Sequence, residues 1–258
     1  MKLLHNLLSG QRKTLAPPNN VALKEDILPY ADHLQLTYHL PPRHVYTTLG
    51  HCHSRMVPDL GELPMPQILK IWNKEGEKMN CMVEGASTGN NEITQSQASE
   101  TMARFLRASN PGLGVIRVSS YYHYTLDDLD SSLKKSPELA LLRIVSSLIS
   151  NLVSLLPERF PAHPDLCEKR FLQLQFGSSE AGIKILRALP KLHLKWSLVS
   201  RKKLLVIIDG ISAAFNEYTE TLCYSLLDAL EQVASQNKAS LIFTDDNDIT
   251  SYFQHANF

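Results

Sequence analysis

The chain has 258 residues, 43% of them apolar, which is enough to bury the core of one ordinary domain or of a domain with an added segment. Its 26 lysine and arginine residues balance 26 aspartate and glutamate residues, so no net field favours nucleic acid, an anionic membrane or an acidic substrate. Four cysteines, Cys52, Cys81, Cys167 and Cys223, lack CxxC spacing and point to reduced thiols in a cytoplasmic setting, not to a disulfide framework.

The opening run KLLHNLL is interrupted by His5 and Asn6 before it reaches the length of a secretory apolar region, and no membrane span is expected. Lys2, Arg12 and Lys13 precede the first acidic residue, Glu25, which gives only a loose likeness to a mitochondrial presequence. Residues 1–65 are rich in proline, histidine and asparagine. Pro17, Pro18, Pro29, Pro41, Pro42, Pro58 and Pro64 are expected to break any long helix and leave a leader with short elements at most. Within it His44, His51, Cys52 and His53 lack the second Cys/His pair of a structural zinc site, so they read as loop residues.

The ordered region is expected over residues 66–258. PQILKIWN predicts a short helix with Pro66 in its first turn, NCMVEG a strand, residues 92–108 a helix and GVIRVSS a second strand. The strongest helix signal follows. Ser136 is placed to accept from first-turn amides, Pro137 suits the first helical position, and Glu138 complements the helix dipole. Leu141, Val145, Leu148, Leu152 and Leu155 then form an apolar stripe that stops at Pro157. After a long variable stretch, KKLLVIIDG gives the continuous apolar run of a parallel strand covered on both faces. A helix with Leu222, Leu226, Leu230 and Val233 on its stripe comes next, and ASLIFTDD supplies another buried strand. This alternation predicts an α/β fold of three layers with a mainly parallel sheet.

Ligands of open parallel sheets bind beyond the carboxyl ends of the strands, so the loops GASTGNN, DGISAAF and TDDND hold the candidate chemistry. In the first, Gly85, Ala86, Ser87, Thr88, Gly89, Asn90 and Asn91 lead into a helix, where backbone amides and the helix dipole attract an anion. In the second, Asp209 ends a buried strand, a place from which a carboxylate holds Mg²⁺ directly or through water. The plain alternatives are an ordinary strand-to-helix turn for the first loop and a helix cap or solvated turn for Asp209. Asp245, Asp246 and Asp248 read as a solvated loop, and Ser87 and Ser212 lack the G-x-S-x-G surroundings of a hydrolase nucleophile.

Taken in order from Pro66 to Asp246, these segments resemble the fungal NACHT-type, nephrocystin-like P-loop NTPases of the STAND class. ILKIWNKEGEKMNCMVEGASTG is similar to the entry into the Walker A loop, PELALLRIVSSLISNLVSLLP to the helix after the second strand, LLVIIDGISAA to the Walker B strand, and LIFTDD to the sensor strand. The resemblance implies a nucleotide site for ATP or ADP with Mg²⁺, formed by Gly85, Ala86, Ser87, Thr88, Gly89, Asn90 and Asn91, with Asp209 toward the metal and Thr244 as sensor. It also implies protein partners in a regulatory or innate-recognition setting.

The departures limit the chemistry. The loop is one residue shorter than GxxxxGK[ST]; Asn90 stands where a lysine would reach the phosphates, and Asn91 where a hydroxyl would bind Mg²⁺. Loss of that lysine removes a contact of about 1.5–3 kcal/mol. Ser212 and Ala213 replace the acidic pair that follows the first Walker B aspartate, and the missing base help is worth roughly 10²- to 10⁴-fold in rate. No catalytic residue is assigned, and the expectation is a degenerate nucleotide-binding domain with weak or absent hydrolysis. The lid and winged-helix regions of the family have no counterpart before Phe258, so the NACHT-like part reads as truncated. Two alternatives stand beside it: a pseudo-NTPase interaction scaffold without nucleotide, and a Mg²⁺-dependent phosphoesterase using Asp209 with Asp245.

Overall fold

Four of the apolar runs become neighbouring strands. The computed structural model describes residues 21–37, 80–84, 99, 102–106, 108, 113–120, 136–192 and 203–245. Strands β2 (Asn80–Glu84), β3 (Leu113–Ser119), β5 (Lys203–Asp209) and β6 (Ala239–Asp245) form a sheet in the order β2-β6-β5-β3, with every neighbouring pair parallel. The chain crosses from one edge to the other between β2 and β3, then returns through β5 and β6. The expected α/β class and parallel sheet are present.

Strand periodicity divides the sheet into two buried faces. Ile116, Val118, Leu204, Val206, Ile208, Leu241 and Phe243 join a core shared with α2 (Pro137–Ser154) and α5 (Glu220–Asn237). Val115, Leu205, Ile207 and Ile242 alternate with them and are also buried. Ser99 touches that second face, and a helical stretch at 102–106, whose Met102, Ala103 and Leu106 are buried, follows it in the chain. It falls inside the helix expected over 92–108.

The stripe of α2 points inward as expected, yet the helix is also buried on its other sides, because α1 (Lys24–Thr37) and α4 (Ser179–Ala188) pack on it. By length and composition α2 could span a bilayer, but 72% of its apolar window is buried inside the fold. One detail of its start differs from expectation. Ser136 has the extended backbone of a cap, but its hydroxyl donates to Glu138 Oε2 and accepts from no helix amide.

The leader also differs. Residues 21–37 belong to the α/β body: β1 (Val21–Leu23) pairs antiparallel with β4 (Arg159–Pro161), and α1 runs for 14 residues straight through Pro29. A mid-helix proline costs about 3 kcal/mol in lost hydrogen bonding and ring clash. Burial of Ile27, Ala31 and Leu34 offsets that cost, and Lys24 Nζ donates to the Ser154 carbonyl at the end of α2 at 2.7 Å. The variable stretch before β5 likewise contains β4, α3 (Glu168–Gln175) and α4. Gly177, at a φ of 99°, ends α3, and Ser178 Oγ caps α4 by accepting from the Ala181 amide at 3.2 Å. The helix expected in PQILKIWN lies outside the described residues.

Candidate functional site at the strand ends

Register assembles the site. Ser119, Asp209 and Thr244 are lateral partners across β3, β5 and β6, so their side chains project from the same face in one row. Arg117, two residues before Ser119, projects from that face too. The row closes on Asp209, which is 0% exposed. Its Oδ2 accepts from Ser99 Oγ at 2.9 Å, Arg117 Nη2 at 3.0 Å and Ser119 Oγ at 3.0 Å. Its Oδ1 accepts from Thr244 Oγ1 at 2.8 Å. Arg117 Nε donates in turn to Ser99 Oγ at 2.7 Å, so Ser99 is tied to both β3 and β5.

The electrostatics follow from this geometry. Burial pushes the Asp209 carboxyl up from its ordinary value, while the Arg117 guanidinium and the hydroxyls of Thr244, Ser99 and Ser119 pull it back. An ionised carboxylate offers about four lone-pair sites. Four side-chain donors meet the group here, three crowded on Oδ2 and one on Oδ1. Mg²⁺ takes oxygen ligands and retains several waters, whereas Asp209 has no solvent-facing edge and already carries the Arg117 guanidinium at 3.0 Å. The residues therefore do not fit a metal ligated directly by Asp209 while Arg117 is in place. Among the described residues there is no group of three or more histidine, cysteine, aspartate or glutamate side chains that could hold a metal.

The ladder continues one step past the strands. Ser120 N–H donates to the Asp209 carbonyl at 3.0 Å, Gly210 N–H to the Thr244 carbonyl at 2.7 Å, and Ser120 Oγ to the Gly210 carbonyl at 2.6 Å. Gly210, at φ 71° and ψ 39°, takes the left-handed conformation that turns the chain into a single 3₁₀ turn, Ile211–Ala214. Ser212 and Ala213 lie on this turn, where the resemblance would have acids. The turn is then fastened to α5: Thr219 Oγ1 donates to the Ala214 carbonyl at 2.6 Å, and Cys223 Sγ to the same oxygen at 3.3 Å. Burial raises the Cys223 thiol to about 12, so it is neutral and unreactive near pH 7.

Of the sequence-predicted site residues, Asp209 and Thr244 are brought into direct contact. Gly85, Ala86, Ser87, Thr88, Gly89, Asn90 and Asn91 lie outside the described residues, although β2 delivers the chain to them at Glu84, the register partner of Asp245. The backbone of Asp245 closes β6, and Asp246 and Asp248 are outside the described residues. Sequence reasoning missed Arg117, Ser119 and Ser99. A signal was present for one of them: Arg117 interrupts an apolar run in a strand buried on both faces, and such a charge requires a partner. Comparison with known proteins finds no family model that matches the chain and no curated protein sequence that matches it.

Proposed function

We propose that this chain is a degenerate NACHT-like nucleotide-binding domain of a STAND-type regulatory or innate-recognition protein, cytoplasmic, with ATP hydrolysis weak or absent. The observation that carries the reading is the Asp209–Thr244 hydrogen bond of 2.8 Å at the carboxyl end of a parallel sheet, one strand away from the strand that enters the glycine loop. In the proposed domain β2 leads to the phosphate loop, β5 is the Walker B strand and β6 the sensor strand. An aspartate and a hydroxyl touching across β5 and β6 support that assignment. They face the end of the sheet where such folds take their ligands.

The same cluster supports the loss of hydrolysis, because Asp209 is committed to protein donors and Ser212 and Ala213 carry no base. Isothermal titration and thermal shift with ATP and ADP test the reading. Binding in the range of tens of micromolar to millimolar is expected, without release of phosphate. No heat and no shift at millimolar nucleotide would defeat it. Insertion of one residue in the loop together with Asn90→Lys and Asn91→Ser is expected to tighten binding, since it returns the lysine and hydroxyl of the phosphate loop.

One observation favours the second reading, a pseudo-NTPase scaffold for protein partners: the charge of the buried Asp209 is balanced from within the chain by Arg117 at 3.0 Å. The scaffold predicts that neither the native nor the restored loop binds nucleotide. A phosphoesterase using Asp209 with Asp245 gains no support from a carboxylate that is fully buried and paired with Arg117.

A further inference from the structure

The geometry points to Arg117 as a built-in cation that takes the place of a divalent metal beside Asp209, so that this site works without Mg²⁺. Three observations meet in it. The guanidinium lies 3.0 Å from Asp209 Oδ2, with the two side chains 12% and 0% exposed. The other donors to Asp209 are all hydroxyls, from Ser99, Ser119 and Thr244. A carboxylate surrounded by hydroxyl oxygens is the donor set that a hard divalent cation accepts. What excludes the metal is the guanidinium, which supplies the positive charge, fills a lone pair of the carboxylate and repels a second cation.

An arginine differs from a metal ion in two ways that matter. It cannot leave or be chelated, and its charge is fixed over the whole accessible pH range. It also brings a second N–H, used here on Ser99 at 2.7 Å, so Ser99 is held to the sheet through the same group. A phosphate arriving at the strand ends meets a fixed positive centre already balanced by Asp209. This last step rests on the nucleotide-binding reading above; the exclusion of metal does not.

Removal of the guanidinium should uncover the cation site. In the full chain, Mn²⁺ binding is read from loss of the free-ion electron paramagnetic resonance signal and from thermal shift. Wild type is expected to bind no Mn²⁺ at millimolar concentration. Arg117→Ser is expected to bind one Mn²⁺ and to melt roughly 5 °C higher at 100-fold excess over its dissociation constant; adding Asp209→Asn should abolish both effects. Stoichiometric Mn²⁺ binding by wild type that Asp209→Asn removes overturns the inference, and so does a folded Arg117→Ser chain that binds none. Should Arg117→Ser not fold, wild type against Asp209→Asn still decides. A parallel arm compares ATP-induced shifts in wild type with Mg²⁺ and with EDTA. Equal shifts support a metal-free site, and a shift that needs Mg²⁺ overturns it while leaving nucleotide binding intact. No shift in either buffer defeats the nucleotide reading and leaves the Mn²⁺ result to stand by itself.

Discussion

At the scale of single residues, the Asp209 cluster sets the largest expected effects. Arg117→Met leaves a carboxylate with no exposed surface facing hydroxyls alone, and breaking a buried pair in this way costs about 3–5 kcal/mol. Asp209→Ala removes the acceptor shared by the guanidinium and the Ser99, Ser119 and Thr244 hydroxyls, at a similar cost. The double variant removes both charges together, so urea denaturation should place it well above the sum of the two single losses in stability; strict additivity would mean that the pair is not coupled. Cys223 gives a second test at this scale, through pH. Its thiol titrates near 9.0 when unfolded and near 12 when folded, so the folded state holds its proton longer. Its contribution is fully present below pH 9.0 and declines above it, by about 1.4 kcal/mol per pH unit until the folded value is reached. The difference in denaturation midpoint between wild type and Cys223→Ala should therefore shrink steadily from pH 9 to pH 11, and a constant difference would contradict the buried neutral thiol. Asp209 was legible in the sequence because it ends an unbroken apolar run. Its partner Arg117 was not, because the two meet across 92 positions of chain through strand register, which no local pattern records.

At the scale of elements, the long segments were readable and the short ones were not. The four sheet strands and α2 carry strong periodic or continuous apolar signals and lie within a residue or two of their expected places, and α5 contains the whole of its expected stripe, Leu222 to Val233. By contrast α3 spans 8 residues with only Phe171 and Leu174 buried, too few to establish a period. The packing of α4 on α2 depends on the smallest possible side chain. A Cβ added at Gly182 would lie 2.3 Å from Val145 Cγ1 and 3.0 Å from Leu174 Cδ1. Gly182→Ala gains helix propensity of about 1 kcal/mol but overpacks the contact by typically 1–3 kcal/mol, so net destabilisation is expected. Val145→Ala in the same chain removes the obstructing methyl groups and should recover part of the loss. A Gly182→Ala chain more stable than wild type would show that α4 can slide away from α2. The glycine gave no hint of this in the sequence, where it stands in a run that reads as ordinary helix.

At the scale of the whole molecule, the largest difference between sequence and structure concerns where the folded unit begins. Proline density made residues 1–65 read as a leader, because local propensity counts each proline as a break; tertiary burial overrode that count at Pro29. Helix α1 covers an outer side of α2, and Ile27, Ala31 and Leu34 belong to the same core cluster as the sheet. Strand β1 adds its pairing with β4, and Lys24 N–H donates to the Glu158 carbonyl at 3.0 Å. A chain that starts at Pro66 keeps every strand of the parallel sheet yet uncovers apolar surface of α2, an 18-residue helix built to be buried nearly all round. Exposed apolar surface of that extent drives association or loosened packing. Such a chain is expected to be largely insoluble, or to bind the dye ANS strongly and lose near-ultraviolet dichroism, whereas the full chain should melt cooperatively. Intermediate support comes from Leu34→Ala in the full chain, expected to cost about 2–5 kcal/mol as a large-to-small change in a core. If the chain starting at Pro66 instead melts as cooperatively as the full chain, α1 is an accessory to the fold and the boundary read from proline density was the physical one.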